Sequence, residues 1–374
     1  MSAKSKNYLS FPIGFIEGSG LSSTSKLYRK ILSLGVFLPM TFVLLYLIIR
    51  KFREEKRDVL MIAEVFEAIT TCAHLLQRKY VMFMHRKLIK EVNKDRDENF
   101  WKYDLISTEM GLSFERQMII CTRIIKVVVS GGVFTVILFC LTTVFDRSKV
   151  VPLMCWTPED NKLLTAVIYI MQVLIMLEIM WALLSLDSFY LLMCTDLRIQ
   201  FLLLQKTIQS VKLGEGSDTK GLVKIIDCTK HHKFLLRIHG KINTIFSSYF
   251  IMLYLVTVAC ASMHSYIILF KSPSLGDSIK SVCYLSGMLF QVGLYFVITS
   301  NIEIEAENLC EEIYNINWEG TTNLKIRKHI LFMLMKAQEP VSITGGGMLH
   351  VNRNEYVGLV RLAYSIATIL GGMT

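Results

Sequence analysis

The chain has 374 residues, of which 52% are hydrophobic and 19% are charged, and its mean hydropathy is +0.44. Soluble domains usually contain fewer apolar and more charged residues, so this composition excludes an ordinary soluble domain. The net charge of +10 does not indicate nucleic-acid binding, because the basic residues lie in loops between apolar segments. There they would face lipid head groups or set the membrane topology.

Seven apolar segments follow one another along the chain. A helix that crosses a bilayer needs about 20 largely apolar residues, and each segment approaches or exceeds that length. They predict an all-α membrane protein with seven transmembrane helices in one bundle. The predicted spans are 31–49, 59–83, 118–145, 163–194, 242–270, 278–300 and 356–374.

Alternate connections between the spans are long and have a helical pattern. Residues 197–212 continue an apolar and polar helical period beyond the fourth span. A second amphipathic helix runs from Leu222 into the fifth span, and 302–318 extends the sixth. These helices predict a helical layer outside the membrane, either as simple helix extension or as an oligomerisation domain.

The segment "RKHILFMLMKAQEPVSITGGG" (327–347) precedes the last span. Its first part predicts a short amphipathic helix. Pro340 ends that helix, because proline lacks a backbone donor and disfavours helix in the residue before it. Gly345 to Gly347 permit a sharp reversal before the last helix.

No motif predicts an enzyme, a cofactor or a metal site. The segment "GEGSDTKG" (214–221) lacks the spacing of a phosphate-binding loop, and no CxxC pair occurs among the nine cysteines. His231, His232 and His239 lie on one amphipathic helix, and His232 and His239 share a face because they are seven residues apart. No third ligand for that pair is in view, so a solvated basic face is expected there rather than a zinc site.

Four acidic residues fall within predicted spans, where charge is costly. Glu64 and Glu67 are three residues apart in the second span, and the fourth span contains Glu178 and Asp187. They either bond neighbouring helices or border a cavity. The spans are also rich in Met and Phe, which suit an adaptable apolar pocket but equally suit core packing.

The last helix carries a stripe of small and polar residues at helical spacing: Gly358, Arg361, Ser365, Thr368 and Gly372. Such a stripe indicates either tight helix packing or one wall of a water-filled pore. A pore would need several subunits around an axis, because one chain offers one such helix. The distribution of basic residues leaves the orientation of the chain in the membrane open.

Several motifs resemble the insect odorant receptor family. "AQEPVSITGGG" (337–347) is similar to that family's Ala-Gln-Lys-Pro-Val-x-Leu-x-Ala-Gly pattern, and "RLAYSIATIL" (361–370) to its Lys-x-Ser-Tyr-Ser-Tyr-Phe-Thr-x-Leu ending. Tyr314 and Trp318 match a Tyr-x-x-x-Trp pair, and "VPLMCWTPED" (151–160) resembles its second outer loop. Glu339, Ile366 and Ala367 depart from these patterns.

The resemblance implies an odour-tuned subunit rather than the shared co-receptor Orco. It implies a cytosolic N-terminus, an extracellular C-terminus and a heterotetrameric, ligand-gated, non-selective cation channel with Orco in the plasma membrane of olfactory neuron dendrites. Residues 1–301 would form the six-helix ligand-binding part of a single domain. Residues 302–347 would form cytosolic anchor helices and a turn, and residues 348–374 the pore helix.

The resemblance also implies two sites. The odorant pocket would lie between spans two to six in the outer half of the subunit, and it would hold a small, neutral volatile such as an ester or alcohol. Its predicted residues are Phe66, Ile69, Thr70, Leu138, Leu141, Tyr169, Met176, Tyr284 and Met288. The predicted pore and gate residues are Ser365, Ile369, Gly372 and Met373.

Two other functions remain open at this point. A gustatory-receptor-type channel has the nearest architecture, but the C-terminus lacks its Thr-Tyr…Gln-Phe signature. A G-protein-coupled receptor is weakly suggested by "FDRSK" (145–149), which has the wrong third residue and no Asn-Pro-x-x-Tyr partner motif.

Overall fold

The computed structural model describes residues 10–22, 25–54, 59–145, 150–158, 160–214, 218–271 and 275–372. These residues are almost entirely helical. The helices are α1 Ser10–Gly18, α2 Leu27–Ile31, a π-helical segment Leu32–Phe37, α3 Leu38–Glu54, α4 Val59–Met84, α5 Arg86–Asn99, α6 Thr108–Phe145, α7 Lys162–Gln209, α8 Asp218–Phe270, α9 Leu275–Tyr314, α10 Leu324–Ala337 and α11 Arg353–Gly372. Two short strands, β1 Thr344–Gly345 and β2 Leu349–His350, lie between α10 and α11.

Each described part of the seven predicted spans lies in a helix. Five helices in the described ranges are long and apolar enough to cross a membrane: Leu27–Glu54, Thr108–Leu141, Lys162–Gln209, Asp218–Phe270 and Ser278–Tyr314. The second and seventh predicted spans lie in α4 and α11. Both helices pack against α8 in the same bundle, and α4 is less apolar because it contains Glu64, Glu67, Arg78 and Lys79.

An aromatic cluster joins α7, α8 and α9 at the centre of the bundle. The Tyr190 ring on α7 lies 4.6 Å from the ring of Phe246 and 5.1 Å from that of Phe250, both on α8. It also lies 5.4 Å from the Tyr295 ring on α9. Edge-on contacts of this kind favour a fixed arrangement of the three longest helices.

Helices α7, α8 and α9 continue well beyond the predicted spans, as the helical pattern predicts. We call residues 195–209, 218–241 and 301–314, together with α5 and α10, the extension layer. The predicted domain boundary after residue 301 falls inside the uninterrupted helix α9.

A buried ion pair connects two parts of the extension layer. The Arg96 guanidinium on α5 donates to Asp196 on α7 through Nε at 2.8 Å, and the Tyr103 hydroxyl donates to the same carboxylate at 2.7 Å. Arg96 also contacts Asp97 at 2.8 Å, but the Asp97 side chain is 42% exposed whereas that of Asp196 is 1% exposed. Only the Asp196 contact is therefore shielded from water.

His231, His232 and His239 of α8 are buried rather than solvated, so the expectation of a basic surface is wrong. The His231 ring stacks on Trp101 at 3.9 Å and lies 3.1 Å from the Gln200 amide oxygen. Burial lowers the pKa of His231 to about 3 and the pKa values of His232 and His239 to about 4. All three rings are therefore neutral and act as packing groups.

The predicted reversal before the last helix is a short β-hairpin, in which each strand has two residues. Thr344 pairs with His350, and Gly345 pairs with Leu349. Gly346 and Gly347 have φ values of +60° and +75°, which side chains of L-residues rarely adopt. A Cβ on Gly345 would lie 2.9 Å from the Ile251 amide nitrogen, so the hairpin sits directly on the α8 backbone.

The two carboxylates beside Arg96 provide a matched stability test. Asp196→Ala removes the buried carboxylate that pairs with the Arg96 guanidinium and should cost about 3–5 kcal/mol. Asp97→Ala should cost less than about 1 kcal/mol, because exposed pairs are weak. The unfolding midpoint of the purified protein in detergent measures both effects. Equal losses for the two variants would contradict the assignment of Asp196 as the buried partner.

Candidate functional site

A cavity of about 700 Å³ lies between α4, α6, α7 and α9. Leu253 of α8 and Leu153 of the loop before α7 complete its wall. Its lining residues are Thr71, His74, Arg78, Val127, Val128, Gly131, Gly132, Phe134, Thr135, Val136, Phe139, Leu153, Met176, Ile179, Met180, Leu183, Leu253, Cys283, Tyr284, Ser286, Gly287, Met288, Phe290 and Gln291. Its size is in the usual range for small-molecule sites, and most of the lining is apolar.

Glycines help to make this space. A Cβ on Gly131 or Gly287 would meet no neighbouring atom of the described residues within 4 Å. Gly132 instead allows close packing, since its Cβ would lie 2.4 Å from the Met180 methyl carbon. Phe134 and Phe290 line the cavity and are more than half exposed, so it opens between α6 and α9.

One end of the cavity is polar. Arg78 donates to Asp187 through Nε at 3.2 Å and Nη2 at 3.0 Å, in a bidentate pair buried between α4 and α7. Gln291 on α9 donates to the same carboxylate at 2.6 Å, and the Tyr249 hydroxyl on α8 donates to it at 3.3 Å. The positive and negative charges cancel, so this end presents dipoles rather than a net charge.

The hydroxyl groups in the wall are already engaged within the protein. Thr71 donates to the Glu67 carbonyl at 2.8 Å, Thr135 to the Gly131 carbonyl at 3.0 Å and Ser286 to the Cys283 carbonyl at 3.1 Å. The Tyr284 hydroxyl is hydrogen-bonded to the side chains of Thr70 and Cys260. These groups can accept a hydrogen bond from a ligand but have no proton to spare.

Three of the nine predicted pocket residues line the cavity: Met176, Tyr284 and Met288. Thr70 lies behind Tyr284, and Ile69 packs partly buried against the main core. Phe66 lines a separate apolar groove between α4, α8 and α11, which we call the second groove.

The other three predicted residues lie outside the lining. Leu141 is exposed on α6, while Leu138 and Tyr169 are half-buried. On α6 the cavity is lined by residues between Val127 and Phe139, and neither Leu138 nor Leu141 is among them.

Sequence reasoning did not identify His74, Arg78 or Gln291. Thr71, His74 and Arg78 are spaced three and four residues apart and follow the α4 face next to the predicted one. Basic and amide residues inside a span were the available signal, since they require a partner or a cavity. Arg78 and Gln291 are the partners of one of the in-span acidic residues, Asp187.

Glu67, Glu178 and Asp187, which lie within the spans, each bond a neighbouring helix. Glu178 pairs with Lys79 at 2.8 Å, and Glu67 pairs with Lys280 at 3.0 Å. Asp187 bonds its neighbours and also holds Arg78 and Gln291 of the cavity wall. Both expectations, helix bonding and a place beside a cavity, therefore apply to this residue.

Helix α11 has one packed face and one open face. Leu359, Ala363 and Ala367 are buried against the bundle. The predicted pore residues Ser365, Ile369 and Gly372 are exposed, with Ile369 58% exposed, whereas the predicted gate residue Met373 lies outside the described residues. An open face on this helix is available to other subunits or to water.

The cavity touches α11 through a small apolar cluster. Met288 of the cavity wall packs together with Cys260 and Ala261 of α8 and with Ala363 of α11. Tyr284 borders the same cluster. This cluster connects the cavity wall to α11.

Comparison with known sequences identifies a family. The family model described as 7tm Odorant receptor matches residues 58–364. Odorant receptor 85a of Drosophila melanogaster is 23% identical over 58% of this chain and 53% of its own length, and odorant receptor 22b is 19% identical over 48% and 47%. The chain thus spans about half the length of these two relatives. Odorant receptor 85f is 20% identical over 84% of this chain and 80% of its own length.

Solved structures show the same fold. The olfactory receptor OR5 from Machilis hrabei in complex with eugenol superposes with a TM-score of 0.81 at 15% identity, covering 98% of this chain and all of that one. A second structure of OR5 gives a TM-score of 0.80 at 16% identity.

A substitution that fills the cavity tests whether it can hold small molecules. Wild-type protein should be stabilised against thermal unfolding by toluene, because apolar cavities of sufficient size bind such molecules. Gly287→Leu should abolish this stabilisation and change intrinsic stability by less than about 1 kcal/mol, since leucine favours helix over glycine.

Gly240→Leu is the matched control, because Gly240 is also helical and open but lies on α8 away from the cavity. It should respond to toluene like the wild type. Undiminished stabilisation of Gly287→Leu by toluene would show that the ligand binds elsewhere.

Proposed function

This chain belongs to the odorant receptor family, and we propose that it is the odour-binding subunit of a ligand-gated, non-selective cation channel formed with the co-receptor Orco. The observation that carries the proposal is the buried apolar cluster that Met288 of the cavity wall shares with Ala363 of α11. It links a space for a small molecule to a helix whose outer face is open.

The lining favours a small, neutral odorant. Most of the wall is aliphatic, aromatic or glycine, so binding would rest on dispersion and desolvation. A charged ligand would lose its hydration without a free countercharge, because Arg78 and Asp187 already neutralise each other.

Gating follows from different affinities of the ligand for two states. A ligand that fills the cavity better when α9 and α11 adopt the open arrangement shifts the population toward that arrangement. Met288 is the residue that we propose transmits the shift, because it lines the cavity and belongs to the same buried cluster as Ala363.

Assembly is supported by two exposed surfaces. The open face of α11 would line a pore only when several subunits surround an axis. Helix α10 buries Ile326, Ile330 and Met333. Its other face exposes Leu324, Leu331, Phe332 and Met335. Exposed apolar stripes of this kind mark protein contacts, so we assign α10 to the heterotetramer with Orco.

We propose that the N-terminus and the extension layer are cytosolic and the C-terminus is extracellular, in the plasma membrane of olfactory neuron dendrites. A C-terminal tag accessible in intact cells supports this orientation. A cytosolic tag would instead favour a G-protein-coupled receptor, and current without Orco would favour a gustatory-type channel.

Odour-evoked current tests the function directly. Cells that express the chain with Orco should respond to members of a panel of neutral volatiles. Met288→Ala should raise the half-maximal concentration by about tenfold, because it removes a buried contact worth more than 1 kcal/mol. Met348→Ala, at an exposed position remote from the cavity, should not.

The absence of any odour-evoked current from a complex present at the cell surface would overturn the proposed function. An unchanged dose–response for Met288→Ala and Tyr284→Ala would remove both residues from the odorant pocket.

The gate is tested at Ile369. An apolar constriction closes a pore by excluding water, so Ile369→Asn should raise the basal current in the absence of odour. Ile369→Val keeps the constriction apolar and should retain a low basal current. Equal basal currents in both variants, at equal surface expression, would place the gate elsewhere.

A further inference from the structure

We propose that His74 is a hydrogen-bonding residue for the odorant, and that the preferred ligand carries a carbonyl or hydroxyl oxygen held at the polar end of the cavity. The inference rests on the proposed function only for the role of the cavity as the odorant site. It adds the class of functional group recognised, the residue that recognises it and the orientation of the ligand.

The hydrogen-bond inventory of the wall singles out His74. The four hydroxyl groups have donated or shared their protons within the protein, and the Arg78 and Gln291 side chains bond Asp187. In contrast, the Nδ1 atom of His74 has no hydrogen-bond partner among the described residues. A polar atom left unpaired away from water costs about 1–3 kcal/mol, so a ligand that satisfies it gains affinity.

The position of His74 fixes which end of the ligand it would meet. His74 lies one turn before Arg78 on α4, and Arg78 Nη1 donates to its carbonyl oxygen at 3.4 Å. It therefore belongs to the polar end with Arg78 and Gln291. The ring can turn about its Cβ–Cγ bond and present a nitrogen to the cavity, because that torsion is broad in histidine.

The chemistry of this end selects a neutral oxygen. An imidazole N–H donates to a carbonyl, ester or hydroxyl oxygen. An anion would meet the Asp187 carboxylate and a cation would meet the Arg78 guanidinium, so neither gains from the balanced pair. The hydrocarbon part of the ligand would extend toward the apolar wall at Val136, Phe139 and Met176.

Two pairs of volatiles isolate the oxygen. Acetophenone and α-methylstyrene differ by a carbonyl oxygen replaced with a methylene group, and carvone differs from limonene by its carbonyl group. Binding to the purified full-length chain is measured by thermal stabilisation over a concentration series. The wild type should bind each ketone about tenfold more tightly than its hydrocarbon partner, as the gain of one hydrogen bond predicts.

Three variants assign the preference to the side chain. His74→Phe keeps a ring without a donor and should bind ketone and hydrocarbon equally. His74→Gln retains an N–H donor and should keep part of the preference. His85→Phe makes the same change at the histidine just after α4, outside the cavity, and should leave the preference unchanged.

Equal affinity of the wild type for ketone and hydrocarbon, no binding of either pair, or a full preference in His74→Phe would each overturn the inference. The wild-type comparison tests the preference for an oxygen atom without any variant, and His74→Gln tests the side chain where His74→Phe fails to fold. Ketone binding without odour-evoked current in the complex with Orco would overturn the proposed function while the inference stands. Odour-evoked current without a preference for the ketones would overturn the inference while the proposed function stands.

Discussion

The carboxylate of Asp187 joins the helices that surround the cavity. It lies on α7 and accepts hydrogen bonds from Arg78 on α4, Tyr249 on α8 and Gln291 on α9. A single buried charge thereby joins four helices beneath the cavity. Removing one partner of such a pair would leave an uncompensated charge in the bundle, which is far more costly than replacing both.

The same principle explains how α4 carries Glu67, Arg78 and Lys79 and yet lies within the bundle. Glu67, Arg78 and Lys79 each pair with a different partner, on α9 or α7. These pairs satisfy the charges without water, as the membrane interior requires. The same helix contributes Thr71, His74 and Arg78 to the cavity wall, opposite α6 and α9.

The sequence predicts the positions of the helices well, but it predicts poorly which face of each helix lines the cavity. Span positions, the extension beyond the fourth and sixth spans, and the turn at Gly345 to Gly347 follow from hydropathy, helical period and glycine conformation, which are local properties. Each residue turns a helix by about 100°, so a shift of one position moves a stripe to another face. The prediction of Thr70 in place of Thr71 shows the consequence.

Burial of polar residues is equally difficult to predict from sequence. His231 has the pattern of a surface helix, but Trp101 covers it from a loop 130 residues earlier in the chain. The sequence shows that the charge of Asp187 lies within a span, where it is costly. Its pairing with Arg78 depends on how α4 and α7 approach each other. Partners of this kind are set by tertiary contacts that no local pattern records.

The central claim is that the cavity beside Asp187 is the odorant site. A cryo-electron microscopy map of the chain assembled with Orco in the presence of carvone tests it most directly. The account predicts ligand density between Met176, Tyr284 and Met288, with the carbonyl oxygen next to His74. Ligand density in the second groove beside Phe66, with the cavity empty, would contradict it.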